Sequence, residues 1–374
     1  MTRQFCRLQS LGAQHGPTGP LPTSIHTLPV STPLLADAWH QALLTHPDRE
    51  WASHLVTGIR EGVRIGLLAH PNCQSIVGNS PSAAAHCEVV SSFLASQVEA
   101  GYMIGPLPAH ACSNVVTSRM AVVPKSTPGK FRVIVDLSAP AHNSINDNIH
   151  RDLTHVAYSS INDAALLMHH LGKHSLMAKI DIQDAYRLIP IHPMDRSFLG
   201  VTWQGGVYVD CQLPFGLASA PAVFSAFAEA LEWILRSRGV HNLIHYLDDF
   251  LLFGAPGSSE CLQALHSTLT TCQELGIPLA LHKVEGPTTR LIFLGINLDS
   301  SQMALSLPDD KLLRFRGLLQ QWSYFKCIRD PQQFQSLLGH LVHMTQVVPL
   351  GKAYLNHLFS LAQDLRPGQF RRLN

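Results

Sequence analysis

Three aspartates, Asp181, Asp248 and Asp249, stand where acidic side chains are unusual. The stretch IHYLDDFLLFG places Asp248 and Asp249 inside an apolar run that is typical of a buried hairpin, and Asp181 ends the alternating strand pattern SLMAKID. If these strands are neighbours in a sheet, the carboxylates converge, and several carboxylates in one place cannot all stay ionised without cations. Oxygen-only ligands at this density favour Mg²⁺ over zinc. The pattern therefore indicates a site for two Mg²⁺ ions that supports in-line phosphoryl transfer.

The same aspartates have two other interpretations. An Asp-Asp pair is common in tight turns, because Asp accepts local backbone hydrogen bonds and tolerates turn geometry. Asp181 and Asp248 could instead form the acid and base pair of a metal-independent hydrolase, which predicts a raised carboxyl pKa. The elements and motifs around the aspartates are needed to choose among these interpretations.

The elements around the aspartates alternate between strands and helices over residues 175–300. The pattern predicts an antiparallel sheet backed by two helices, which is an α+β arrangement. Alternating apolar residues indicate the strands of hairpins. An apolar stripe that ends at a glycine indicates a helix. In chain order we predict the strand SLMAKIDI, a hairpin that turns at residues 204–206, a helix from Pro221 to Gly239, the hairpin NLIHYLDDFLLFG, a helix over 258–275, and the strands PLALHKV and TRLIFLGINLD.

The flanks of this central part have a different character. Residues 1–35 carry Gly, Pro, Ser and Thr without periodicity, which predicts a disordered or loosely ordered tail. Helical patterns follow up to about residue 107, and SRMAVVPKSTPGKFRVIVDLS predicts a basic hairpin that carries Lys125, Lys130 and Arg132 near its tip. After Pro308 the pattern is helical again.

Length and composition limit the class of protein. The chain has 374 residues, which predicts more than one lobe, and with 46% hydrophobic and 14% charged residues it is globular. The net charge of +1 means that any nucleic-acid groove must be locally basic. The eight cysteines contain no C-x-x-C pair, and the 22 histidines lack metal-binding spacing. Without a long apolar run or a signal peptide, we expect a protein of the cytoplasm or nucleus that is neither secreted nor inserted in a membrane.

Four motifs in order resemble those of reverse transcriptases. They are AKIDIQDAYRLIPI, QLPFGLASAPAVFS, YLDD and FLG, and the resemblance covers residues 115–300. The flanking stretches HPDREWASHLVTGIREGVRIGL and VVPKSTPGKFRVIVDLSAPAHNSIND look most like polymerases of DIRS-type tyrosine-recombinase retrotransposons. The resemblance implies a right-hand polymerase fold, with N-terminal helices and fingers over 36–174, a palm over 175–300 and a helical thumb or connection over 301–374.

The resemblance also implies the metal ligands. Asp181 matches the metal ligand of the first motif, with the Ile182 carbonyl as a further ligand, and Asp248 and Asp249 match the carboxylate pair. Two Mg²⁺ ions, or Mn²⁺ as a substitute, are the implied cofactors.

Substrate contacts are implied at further positions. Tyr186 matches the bulky residue that lies under the incoming sugar and excludes a 2′-hydroxyl, although a core aromatic is the alternative interpretation. Lys283 is a candidate proton donor to pyrophosphate, with a surface lysine as the alternative. The remaining candidates are Asp184 and Ala185, whose N–H groups would face the triphosphate, Lys125 and Arg132, which would hold phosphates unless they are solvated surface cations, Phe215 near nucleotide and template, and Phe293, Leu294 and Gly295 as the primer grip.

The function implied is RNA-directed DNA polymerisation, with deoxynucleoside triphosphates and a primed RNA or DNA template as partners. No second acidic cluster follows the thumb-like helices, so we expect no ribonuclease H activity from this chain. Ribonuclease H and recombinase parts would then belong to a parent polyprotein. The alternative is an inactive or co-opted retroelement fragment that binds nucleic acid without turnover.

Overall fold

The structure is a computed structural model. It describes residues 2–11, 25, 27–68, 78–125, 127–323, 328–329, 331–348, 350–363 and 371–372. Within these ranges, no helix has both the length and the apolar character needed to cross a membrane.

Helices occur along the whole described chain. They are α1 (Thr2–Leu11), α2 (Ala36–Ala42), α3 (Arg49–Glu61), α4 (Pro81–Ala85), α5 (Cys87–Glu99), α6 (Ile161–Leu171), α7 (Pro193–Arg196), α8 (Ala220–Ser237), α9 (Glu260–Leu275), α10 (Asp309–Ser323), α11 (Pro331–Met344), α12 (Gly351–Tyr354) and α13 (Asn356–Gln363).

In the part of the chain that the structure describes, the strands form four sheets. They are β1 (Met103–Pro108), β2 (Thr117–Pro124), β3 (Phe131–Asp136), β4 (Leu176–Asp181), β5 (Gly200–Trp203), β6 (Gly206–Asp210), β7 (Leu243–Tyr246), β8 (Asp249–Gly254), β9 (Glu285–Thr288), β10 (Arg290–Phe293), β11 (Ile296–Asp299), β12 (Ala304–Ser306), β13 (Ile328–Arg329) and β14 (Arg371–Arg372). We call the four-stranded sheet β7-β8-β4-β9 the palm sheet and the five-stranded sheet β1-β6-β5-β2-β3 the fingers sheet. A three-stranded sheet β10-β11-β12 and a pair β13-β14 complete the set.

The palm sheet is antiparallel throughout and is covered on both faces. Alternate residues of a strand point to opposite faces. Ile180 and Phe250 therefore pack on one face with the apolar stripes of α8 and α9. Met177 and Leu251 pack on the other face with α6 and the β10-β11 hairpin. The predicted α+β arrangement of an antiparallel sheet backed by two helices is confirmed.

The fingers sheet takes a hairpin from within the predicted palm range. The β5-β6 hairpin forms as predicted, with its turn at Gln204 and Gly205, but β6 pairs with β1 and β5 pairs in parallel with β2. The palm boundary of 175–300 is therefore wrong for residues 200–210. The reason is that an alternating hairpin pairs equally well with either sheet, and sequence periodicity does not specify its partner. In the other direction, α6 lies in the predicted fingers range and packs on the palm sheet.

The predicted loose tail over 1–35 is wrong for the part that the structure describes. Residues 2–11 form α1, whose Phe5 and Leu8 are buried in the main core. The Phe5 ring meets Phe227 of α8 edge to face at 6.0 Å. Farther along, the buried Arg196 guanidinium donates to the Leu28 carbonyl at 2.9 Å. Burial of its apolar side chains stabilises α1, and the hydrogen bond from Arg196 holds the backbone at Leu28. Residues 1, 12–24 and 26 lie outside the described residues.

After β12 the described chain is mainly helical, in agreement with the predicted helical pattern. Lys311 of α10 and His343 of α11 lie next to the β10-β11 turn. These contacts connect the C-terminal helices to the palm.

Candidate active site

Sheet register brings Asp181, Asp248 and Asp249 together. Asp181, the last residue of β4, lies opposite Asp249, the first residue of β8. The Ile182 N–H donates to the Asp248 carbonyl at 3.1 Å, so the pairing continues to the turn. Asp181 therefore lies at the same end of the palm sheet as the adjacent pair Asp248 and Asp249, although it is distant from them in sequence.

The turn between β7 and β8 is short and conformationally strained. Tyr246 pairs with Asp249, which leaves Leu247 and Asp248 as the two turn residues. Leu247 has φ of 53°, in the left-handed region that non-glycine residues rarely adopt. Such strain persists where the surrounding structure holds the residue in place, and it is concentrated at functional sites. Here the sheet on both sides of β8 fixes the turn that carries Asp248.

Burial and the repulsion between like charges disfavour the ionised forms of Asp248 and Asp249. Burial is the largest cause that raises the pKa of Asp248, and the Asp181 carboxylate adds to it. The pKa of Asp249 is raised to about 6, first by burial and then by the charges of Asp248 and Asp181. The ammonium groups of Lys179 and Lys283 act in the opposite direction. A divalent cation would relieve the same repulsion more strongly than one lysine does.

Lys283 reaches the site through a turn that replaces a predicted strand. Its Nζ lies 2.8 and 3.0 Å from the two carboxylate oxygens of Asp181, and this contact raises the pKa of Lys283. The prediction of a strand over PLALHKV is wrong, because residues Leu281–Lys283 form a 3₁₀ turn. Ile182 pairs with Leu279, and Lys179 pairs with Glu285. The chain therefore advances six residues from Leu279 to Glu285 while β4 advances three, and the turn accommodates the extra residues.

The donor chemistry of the site fits a hard cation. All three side chains offer carboxylate oxygens, and the Ile182 carbonyl follows directly after Asp181. Within the described ranges, however, no three or more His, Cys, Asp or Glu side chains stand close enough together to form a ready metal cage. The backbone thus brings the ligands together, and their side chains would have to turn toward a bound ion.

Tyr186 lies beside the carboxylates on a short 3₁₀ helix, Ala185–Leu188. Its half-buried ring contacts Phe215 at 4.9 Å and Phe224 at 5.5 Å, both edge to face. Burial raises the pKa of the Tyr186 phenol, and the nearby charge of Asp248 contributes to the shift. The side chain therefore combines apolar packing with proximity to the carboxylates, and its role as a sugar filter stays a prediction.

Asp184 precedes this helix with φ of 52°, and its exposed carboxylate accepts a hydrogen bond from the Tyr102 hydroxyl at 3.1 Å. Ala185 is buried. Phe215 presents 60% of its surface to solvent, although one edge contacts Tyr186. Phosphate contacts of the Asp184 and Ala185 N–H groups, and template contacts of Phe215, stay predictions.

Lys125 and Arg132 belong to the fingers sheet and not to the palm. They lie on the β2-β3 hairpin, where the Lys125 N–H donates to the Lys130 carbonyl at 2.8 Å. Both residues are exposed. The hairpin itself forms as predicted, but the structure does not place these two cations among the carboxylates.

Phe293, Leu294 and Gly295 form the end of β10 and its turn to β11. Phe293 is buried, and the turn residues Leu294 and Gly295 have φ of 47° and 75°. The Gly295 carbonyl accepts a hydrogen bond from Lys311 Nζ at 3.1 Å. The residues of the predicted primer grip thus form a tight hairpin on the face of the palm sheet toward which Asp181 and Asp249 point, which we call the carboxylate side.

Two further sets of contacts position the site, and the sequence analysis did not predict them. Asn146 donates to the Gly216 carbonyl at 2.9 Å and accepts from the Ala218 N–H at 2.8 Å, which holds the loop after Phe215. Buried Arg187, next to Tyr186, forms an ion pair with buried Asp210 of β6. The arginine inside the apolar motif AYRLIPI was a sequence signal for such an ion pair. The Asn146 contacts have no sequence signal.

Comparison with known proteins agrees with this geometry. The family model for reverse transcriptase (RNA-dependent DNA polymerase) matches residues 123–298. Protein P of duck hepatitis B virus (strain China) is 29% identical over 185 residues, which are 48% of this chain and 22% of that protein. The Gag-Pro-Pol polyprotein of simian retrovirus SRV-2 is 26% identical over 208 residues, which are 52% of this chain and 11% of that protein. The chain thus spans a small part of the length of these relatives.

Solved structures share the fold. A foamy viral protease-reverse transcriptase in complex with an RNA/DNA hybrid has a TM-score of 0.59 at 15% identity, over 91% of this chain and 44% of that chain. A second foamy viral protein, in complex with double-stranded DNA, has a TM-score of 0.58 at 19% identity, over 82% of this chain and 48% of that one. The implied polymerase fold is therefore confirmed, and residues 123–298, which carry the converging aspartates, are similar to the reverse transcriptase family.

Proposed function

We propose that the chain is an RNA-directed DNA polymerase that adds deoxynucleotides to a primer, and that it derives from a retrotransposon of the DIRS type. The observation that carries the activity is the pairing of Asp181 with Asp249, extended by the Ile182 bond to Asp248. This register assembles the carboxylates that two-metal phosphoryl transfer needs. The flanking motifs described above support the DIRS assignment.

Asp181, Asp248 and the Ile182 carbonyl would hold the ions, with Asp249 completing the negative charge. Bound Mg²⁺, or Mn²⁺, would supply activation of the primer 3′-hydroxyl and neutralisation of the leaving pyrophosphate. Lys283, whose ammonium contacts Asp181, would donate a proton to the pyrophosphate. The Tyr186 ring would exclude a 2′-hydroxyl from the sugar site, and Lys125 and Arg132 would close on the triphosphate from the fingers.

A primed nucleic-acid template is the partner that fits this chemistry. The two foamy viral proteins described above were solved with double-stranded DNA and with an RNA/DNA hybrid, which supports the same class of partner here. A retroelement fragment that binds template without turnover is the competing function. It predicts binding without extension.

Extension of oligo(dT) on poly(rA) with Mg²⁺ tests the proposal. We expect extension by the wild type, loss of extension with EDTA, and loss in Asp248→Asn and Asp181→Ala. Glu88→Gln, which changes an exposed carboxylate on α5, is the matched control. Binding of the primed template without extension by the wild type would contradict the enzymatic function and favour the binding module.

A further inference from the structure

The hairpin formed by β10 and β11, which we call the 290–299 hairpin, is attached to two other elements through lysines. Lys179 Nζ of β4 donates to the Ile292 carbonyl at 3.0 Å. Lys311 Nζ of α10 donates to the Gly295 carbonyl at 3.1 Å. One ammonium comes from the strand that ends in Asp181, and the other comes from the first C-terminal helix.

Lys179 lies on the carboxylate side of the palm sheet. It precedes Asp181 by two residues, so both side chains point to the same face of β4. Its neighbour on β8 is Leu251, two residues after Asp249. Its side chain is only 20% exposed, and Nζ also lies 3.9 Å from the Glu285 carboxylate. A lysine inside a palm strand thus links the catalytic strand directly to the hairpin backbone.

Lys311 reaches its carbonyl because residue 295 is glycine. A Cβ at Gly295 would overlap Lys311 Nζ and would lie 3.5 Å from Cε1 of His343. The φ of 75° also favours glycine. Gly205, in the β5-β6 turn, has a similar φ of 80°, but a Cβ there would meet nothing within 4 Å. Both glycines therefore have the same left-handed backbone conformation, and only at Gly295 does a lysine approach the backbone closely.

We propose that Lys179 and Lys311 are positioning residues that together fix the 290–299 hairpin relative to Asp181 and Asp249, and so set where the primer 3′ end stands. The effect of this positioning on catalysis rests on the proposed function, whereas the attachment of the hairpin by the two lysines is a property of the free protein. Because reacting groups must align closely, a shift of about 1 Å in the primer end would cost up to about 100-fold in rate.

Hydrogen exchange of the free protein tests the attachment. Lys179→Met and Lys311→Met remove the ammonium groups at similar chain length, so we expect amides of the 290–299 hairpin to exchange faster than in the wild type. Lys179→Arg and Lys311→Arg keep a cationic donor and should restore much of the protection. Lys173→Met, at an exposed lysine before β4, is the control and should leave the hairpin unchanged.

Primer extension tests the consequence. We expect Lys179→Met and Lys311→Met to lower kcat and to raise the primer KM, by about 10-fold to 100-fold in kcat/KM. The nucleotide KM should change little. Gly295→Ala should reproduce the effect of Lys311→Met, because the new Cβ displaces the ammonium. Gly205→Ala carries the same backbone strain without a displaced neighbour, so it should extend primers as the wild type does.

The outcomes separate the two claims. Unchanged exchange in both Met variants would overturn the attachment, whether or not the protein extends primers. Faster exchange with primer extension equal to that of Lys173→Met would overturn the positioning role. A wild type that extends no primer would refute the proposed function, while the exchange data would still decide on the attachment.

Discussion

The palm hairpin β7-β8 and the fingers hairpin β2-β3 both carry predicted active-site charges, but they are held very differently. β8 lies between β7 and β4, and its Phe250, Leu251 and Leu252 are fully buried. β3 is the edge strand of the fingers sheet, and the tip of its hairpin is exposed. The comparison teaches that the carboxylates of the candidate active site are fixed by sheet register, whereas the cations proposed to grip the triphosphate lie on an exposed edge hairpin.

Removing a carboxylate should have the largest effect, because the proposed two-metal chemistry depends on these oxygen ligands. Asp248→Asn is expected to lower kcat by about 10²–10³-fold or more, with little change in the KM for the primer. Steady-state primer extension measures both constants. A variant with wild-type kcat would show that the fixed carboxylates do not carry the chemistry.

Shortening the ring at Tyr186 tests whether a palm side chain can select the sugar. Tyr186→Val is expected to raise the incorporation of ribonucleotides relative to deoxynucleotides by about 10–100-fold, since the bulky ring no longer excludes the 2′-hydroxyl. Tyr186→Phe keeps the ring and should keep the selectivity. Equal selectivity in the Val variant would leave Tyr186 as a core aromatic against Phe215 and Phe224.

Removing a cation from the exposed β2-β3 hairpin should have a smaller effect that appears in binding. Lys125→Ala and Arg132→Ala are each expected to raise the nucleotide KM by about 10-fold while kcat falls less, because each loses one charge-assisted phosphate contact. Titration of the triphosphate in primer extension measures this. Lys130→Ala, at the exposed hairpin tip, is the control. A loss of kcat as large as that of Asp248→Asn would mean that the two hairpins are not as different as their packing indicates.

Acidification should have opposite effects on stability and on catalysis at the half-buried carboxylate of Asp249. The pKa of Asp249 is about 6, above its ordinary value of 3.8, so its ionisation costs folding free energy. Without metal, stability should therefore rise as pH falls from 7 through 6 toward 4, by on the order of 1 kcal/mol for this group after solvent screening. Primer extension should fall over the same range, because the protonated carboxyl no longer supports metal binding.

Thermal unfolding in EDTA and initial rates in Mg²⁺, each measured against pH, check this prediction. Asp249→Asn should flatten the contribution to the stability profile. Stability that falls between pH 7 and 5 in the wild type but not in Asp249→Asn would contradict the direction of the pKa shift.

Much of the fold follows from local patterns in the chain. Alternating apolar residues predict β4, β5 and β6, an apolar run predicts β8, and an apolar stripe predicts the helix before Gly239, because each of these signals depends on neighbours within one element. The two acidic residues in an apolar hairpin also mark the site before any contact is known. Two of the errors occur where a segment lacks a strong period, in α1 and in the turn of Leu281–Lys283.

By itself the sequence determined the identity of the strands, the order of the motifs and the residue types available for chemistry, because these depend on the properties of short segments. Only the tertiary structure decided which strands are neighbours. It placed Asp181 opposite Asp249, moved the β5-β6 hairpin into the fingers sheet and brought Lys179 to the 290–299 hairpin. The physical reason is that strand pairing and side-chain contacts across many residues depend on the packing of whole faces, which no local pattern specifies.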